Sequence, residues 1–230
     1  MPVDQDRYNR LLASTAFDAS FYTGSIQDRS RYQRAMTFVG APTWTKINGW
    51  PALSGLVNGD GTTSANLPLV LDVTQTFSVE ILTLVSGVSG NYTTAWRQTG
   101  AGFFGGAEIQ VVSRANGIQL YATVYDAAGA VARQILSPNP SFAYRTAAHG
   151  LMTYIAGGGA GRCWINGVPT AVTLAGAGVP FNLAPPRPII SGGAGYWTGT
   201  YLLVRVWQGD TTNEDATCLA EQAKLLVGGW

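Results

Sequence analysis

The chain has 230 residues, 46% of them hydrophobic, and no run approaches the ~18 consecutive apolar residues that a membrane-spanning helix requires. Fourteen Lys plus Arg against 13 Asp plus Glu leave a net charge of +1, which excludes an overall electrostatic pull toward nucleic acid or an anionic membrane surface. Only 12% of residues are charged, about half of the ~25% usual in globular domains, so part of the surface is expected to be covered by another copy or another protein.

The only lysines are Lys46 and Lys224, and lysine is the residue that interfaces tend to exclude. A chain of this length fits one β-sandwich. Residues 1–230 are therefore expected to form a single domain, with 1–16 as an N-terminal extension.

The opening "MPVDQDRYNRLL" lacks the basic-then-apolar layout of a secretory signal, so the chain is expected to be made without export or exported by other means, with Asn91 in "NYT" unglycosylated. "RYNRLLAS" predicts a short helix. Arg7, Arg10, Arg29, Arg31 and Arg34 cluster but are interrupted by Asp4, Asp6, Asp18 and Asp28, which reads as a solvated mixed-charge surface and not a nucleic-acid footprint.

Strand signals follow at short intervals. "TFSVEILTLV" places Phe77, Val79 and Ile81 on one face, and "AEIQVVS" does the same for Ile109 and Val111. Between them, "NYTTAWRQTGAGFFGG" (91 to 106) reads as a loop-like segment holding Tyr92, Trp96, Phe103 and Phe104. "GIQLYATVYD" and "AVARQILS" are joined by Ala127, Ala128 and Gly129 and predict a hairpin. "LMTYIAG", "GRCWING", "AVTLA", "RPIISGG" and "TGTYLLVRVWQG" continue the series, with "LAPPRP" (183 to 188) as a rigid loop. Such spacing, broken by Gly, Asn and Pro, fits an antiparallel sandwich or barrel.

A C-terminal helix closes the chain. Thr212 can cap it, Glu214 and Asp215 fall in its first turn, Lys224 lies in its last turns, and Gly228 can stop it. Leu219, Ala223 and Leu226 supply its apolar stripe.

The stretch "GGGAGRCWINGVP" (157 to 169) tests for phosphate chemistry. A phosphate-cradling loop needs Gly-Lys-Ser/Thr and a following helix, whereas a strand follows here, so the glycines read as a hairpin bend. Asn166 and Gly167 then form an Asn-Gly turn. The one histidine, His149, is expected to be a hydrogen-bonded structural residue just ahead of the strand "LMTYIA". Cys163 and Cys218 are expected as buried thiols rather than a disulfide. One His and two separated Cys satisfy no zinc spacing. Glycoside hydrolysis needs paired carboxylates, yet no strand carries two at alternate positions, and the strand-borne candidates are Glu80 and Glu108. The remaining functional material is aromatic: Tyr196 and Trp197 in "GGAGYWTG", with Tyr92, Trp96, Phe103 and Phe104, are candidate contacts for a partner or for sugar rings.

"AAHGLMTYIAGGGAGRCWINGVP" resembles the concanavalin A-like, laminin-G-type domain, whose signature runs Trp-His-His-Val-Ala, then Thr-Tyr-Asp, a turn, and a strand ending in Asn-Gly. His149, Thr153, Tyr154, Trp164, Asn166 and Gly167 match it in order. "ISGGAGYWTGTYLLVRVWQGDTTNEDATCLAEQA" resembles the family's closing section, and "GAPTWTKINGWPALSGLVNGDGTTSANLP" with "TFSVEI" resembles its opening strands. The departures are Ala147 and Ala148 before His149, Ile155 after Tyr154, and the lack of the hydrolase branch's carboxylate motif. The resemblance implies an all-β, two-sheet antiparallel jelly-roll sandwich with a short C-terminal helix, a fold shared by lectins, adhesion modules, glycosidases and phage structural proteins. Calcium, bound in some members by an Asp and backbone carbonyls, has candidates such as Asp60 and Asp126, and no cofactor or metal is expected.

The expectation is then a non-catalytic structural or decorating component of a larger assembly, such as a phage virion, made in the host cytoplasm. Its expected partners are other virion proteins and copies of itself, with glycans as a further class and neither nucleic acid nor membrane. The alternative is a lectin using Tyr196 and Trp197; the third reading is a glycosidase using Glu80 or Glu108.

Overall fold

A computed structural model describes residues 3–39, 43–54, 61–63, 71–85, 92–99, 105–157, 160–182, 187–191 and 199–230. The chain opens with α1 (Gln5–Ala13), β1 (Phe17–Ser20), β2 (Thr37–Val39), β3 (Thr43–Ile47), β4 (Trp50–Ser54) and β5 (Gly61–Thr63). It continues through β6 (Phe77–Val85), β7 (Tyr92–Thr99), β8 (Ala107–Arg114), β9 (Gly117–Tyr125), β10 (Val131–Leu136) and β11 (Ala147–Ile155). Then follow β12 (Ala160–Ile165), β13 (Val168–Thr170), β14 (Thr173–Ala175), β15 (Arg187–Ser191), β16 (Gly199–Gln208) and α2 (Asn213–Val227).

These strands form two antiparallel sheets. The first runs β13-β12-β11-β6-β16-β4-β3, with β1 pairing the later half of β16; the second runs β14-β10-β9-β8-β7-β15-β5-β2. Strand alternation supplies the core between them. Phe77, Val79 and Ile81 of β6 meet Ile109 and Val111 of β8 and Leu120, Ala122 and Val124 of β9 in one buried cluster.

The opposite face of the first sheet is also buried, because α1 and α2 lie on that side. Tyr8 of α1 and Leu219 of α2 pack with Leu151, Trp164 and Trp207, and Ala223 packs with Ala52, Leu82 and Leu203. β16 is thus covered on both faces, which explains why "YLLVRVW" reads as a near-continuous apolar run. The two helices are joined by Arg7 donating to Asp215 at 2.9 Å.

Local signals account for the turns and caps. Thr212 and Asp215 form a reciprocal capping box on α2, and Gly228 ends the helix in the left-handed conformation. Asn166 and Gly167 take φ of +51° and +80°, as a two-residue hairpin turn needs, and a Cβ on Gly167 would stand 2.8 Å from Ala220 of α2. Ile155 pairs with Ala160, so the glycine-rich stretch connects two adjacent antiparallel strands, as a hairpin bend does, and no helix follows it.

Two placements differ from expectation. Residues 92–99 form strand β7, not a loop; a register shift between Thr94 and Trp96 breaks the period-two pattern by which a strand is read. His149 lies inside β11 opposite Leu82, not ahead of the strand. Of "LAPPRP", Arg187 and Pro188 belong to β15 and the rest lies outside the described residues.

Candidate functional site

The aromatic candidates separate. Trp96 is fully buried in the core between the sheets, so it offers no face to a partner; the β7 register shift turns it inward opposite Ile109. Tyr92 opens β7 opposite Val112. Phe103, Phe104, Tyr196 and Trp197 lie outside the described residues, as does Asp60.

The carboxylate candidates are internal and belong to different sheets. Glu80 on β6 is fully buried on the helix-covered face. Its Oε1 lies 2.9 Å from His149 Nε2, and its Oε2 accepts from Arg205 Nη1 at 3.2 Å. A carboxylate only accepts, so Nε2 carries the hydrogen. Burial opposes ionisation of Glu80, but Arg205 and His149 outweigh it and hold the carboxyl below its usual range. Arg205 also donates from Nε to Asp18 at 3.2 Å and from Nη2 to Tyr8, Ser20 and Tyr22 at 3.1 Å each.

Glu108 on β8, also buried, accepts from the Tyr125 hydroxyl, whose titration burial and the Glu108 charge push upward. The two glutamates therefore flank no common cleft, contrary to the glycosidase reading. Asp126 Oδ1 accepts from the backbone amides of Ala128 and Ala130, which makes it the organiser of the β9–β10 turn. Among the described residues no group of three or more His, Cys, Asp or Glu is placed to hold a metal. Cys163 and Cys218 are both free and buried, and burial pushes the Cys163 thiol up to about 12.

The surface offers a different aromatic. In the β3–β4 hairpin, Trp44 stands opposite Leu53 and Lys46 opposite Pro51, so both share the face that Leu53 turns into the core. Trp44 is 42% exposed, and its ring rests edge-on against buried Phe21, with centroids 6.3 Å apart at 68°. Trp44, Thr45, Lys46, Pro51 and Gly24 line an open groove of about 340 Å³. Lys46 forms no ion pair among the described residues. Trp50, equally exposed, sits on the reverse face against Tyr22.

The tip of the hairpin meets the end of α2. Asn48 and Gly49 turn the hairpin at φ of +49° and +84°, and Asn48 Nδ2 donates to the Leu226 carbonyl at the end of α2. The signal for this site stands in "TWTKINGWP": an Asn-Gly turn between alternating residues, with Trp44 and Lys46 two apart and hence on one face. A second cavity, about 380 Å³, lies between α1 and α2, but Arg7 within it is already paired with Asp4 and Asp215.

No family model and no curated protein matches the chain. Among solved structures it is similar to the receptor binding domain of botulinum neurotoxin D, with a TM-score of 0.70 at 12% identity over 94% of this chain and 54% of that one. The receptor binding domain of the botulinum neurotoxin C/D mosaic serotype gives 0.69 at 13%, over 91% and 51%. The serotype D ligand binding domain in complex with N-acetylneuraminic acid gives 0.67 at 11%, over 94% and 52%. The chain spans about half the length of each, and at these identities the likeness is one of fold: a two-sheet antiparallel sandwich of the kind found in these receptor-binding domains.

Proposed function

We propose that this chain is a non-catalytic carbohydrate-binding module in which a sugar ring stacks on Trp44. The observation that carries this reading is the exposed Trp44 face, braced from below by Phe21 and opening onto a groove with Thr45 and Lys46. An indole held in one orientation gives apolar contact area to the C–H face of a pyranose at little entropic cost, while neighbouring polar groups engage its hydroxyls. The likeness to receptor-binding domains, one solved with N-acetylneuraminic acid, supports the reading without supplying the ligand.

The test is a glycan array probed with wild type, Trp44→Ala and Trp197→Ala. Trp44→Ala is expected to abolish binding while leaving the thermal midpoint close to wild type. Loss of binding in Trp197→Ala alone would move the site to Tyr196 and Trp197. A blank array from folded wild-type protein refutes the reading.

A second reading, the assembly component, is favoured by one surface. No charged residue occurs between Arg162 and Arg187. Within that stretch Val168 on β13 and Leu174, Val179 and Phe181 are exposed, Val179 by 80%, and among the described residues β13 and β14 are end strands of the two sheets. Exposed apolar residues beside an unprotected strand edge are a typical association surface. On this reading the surface is covered by another copy or by a virion protein. Light scattering is expected to show self-association at high micromolar concentration, reversed in Val179→Lys; a wild-type monomer throughout excludes the self-association.

A further inference from the structure

We infer that the groove selects an anionic pyranoside, its ring on Trp44 and its carboxylate or sulfate at Lys46 Nζ. This rests on the glycan reading above and adds the charge of the ligand. Trp44 and Lys46 are two residues apart on one strand face, which separates their Cα atoms by about 7 Å. A pyranose ring with one exocyclic acidic group bridges that span. Among the described residues the groove is lined by Gly24, Trp44, Thr45, Lys46 and Pro51, which supply one positive charge and no carboxylate.

Two features set this lysine apart from an ordinary solvated one. The chain has only two lysines, and this one stands beside an exposed, braced tryptophan. It also lacks an ion-pair partner among the described residues, so a ligand anion displaces no existing bridge. A compact ammonium on a flexible stem can donate to either a carboxylate or a sulfate.

The experiment uses an array carrying neutral, sialylated, uronic-acid and sulfated chains, with wild type, Trp44→Ala, Lys46→Gln and Lys46→Arg. Wild type is expected to bind acidic chains above their neutral counterparts, with affinity falling as NaCl is raised. Lys46→Gln is expected to lose about tenfold on acidic chains, as removal of a charge-assisted contact implies, and nothing on neutral ones; Lys46→Arg restores acidic binding. The sialylated and uronic-acid arms against the sulfated arm identify which anion is preferred. Equal binding of neutral and acidic chains, unchanged in Lys46→Gln, overturns this inference and leaves the glycan reading standing. Binding to no chain overturns both.

Discussion

Replacing Arg205 with alanine is expected to cost about 3–5 kcal/mol of unfolding free energy, the range for breaking a buried ion pair. Arg205 is 1% exposed and stands where β1, β6 and β16 meet beneath α1. Its guanidinium reaches two carboxylates, Asp18 and Glu80, and three hydroxyls, those of Tyr8, Ser20 and Tyr22. The loss does not measure a net contribution of the ion pairs, because desolvation offsets most of their attraction. It comes from two carboxylates left in a dry site with their counter-charge removed. Urea unfolding measures it directly, and an unchanged midpoint in Arg205→Ala would refute the role of this network. Asp18→Asn with Glu80→Gln in the Arg205→Met background should recover much of the loss.

The same network predicts acid behaviour. Glu80 has its folded titration lowered from 4.5, with burial opposing and Arg205 and His149 prevailing. A lowered folded value means that the unfolded chain takes up the proton first. Its stabilisation is therefore complete above 4.5 and is lost as pH falls through the folded value. Glu80→Gln should flatten the acid limb of a stability-against-pH curve.

Trp96→Ala is expected to cost about 3–5 kcal/mol, the range for large aromatic truncations in a core, and to leave glycan binding by the folded fraction intact. Trp96 is among the largest fully buried side chains, packed between the sheets. Its removal opens a cavity that neighbours on two hydrogen-bonded sheets cannot collapse to fill. Trp44→Ala should show the reverse, with stability within roughly 1 kcal/mol of wild type and binding gone. A denaturation series on both variants beside the array separates them; equal stability losses would mean that Trp44 too is a core residue.

The sequence by itself determined the all-β class, most strand positions, the β9–β10 and β11–β12 hairpins and the capped C-terminal helix. These features are local: alternation in "TFSVEIL", the Asn166-Gly167 turn and the Thr212–Asp215 box are each made by residues close together in the chain. Only the tertiary structure decided which side of each strand meets what. The register shift in β7 sends Trp96 inward. The helices that cover the first sheet place Glu80, a candidate carboxylate in the sequence, in a buried structural cluster with Arg205 and with His149, which is hydrogen-bonded as expected, and the hairpin at the sheet's edge leaves Trp44 and Lys46 open to solvent. Whether a side chain is buried depends on the element that lies opposite it, and that element comes from a distant part of the chain, so no local pattern encodes it.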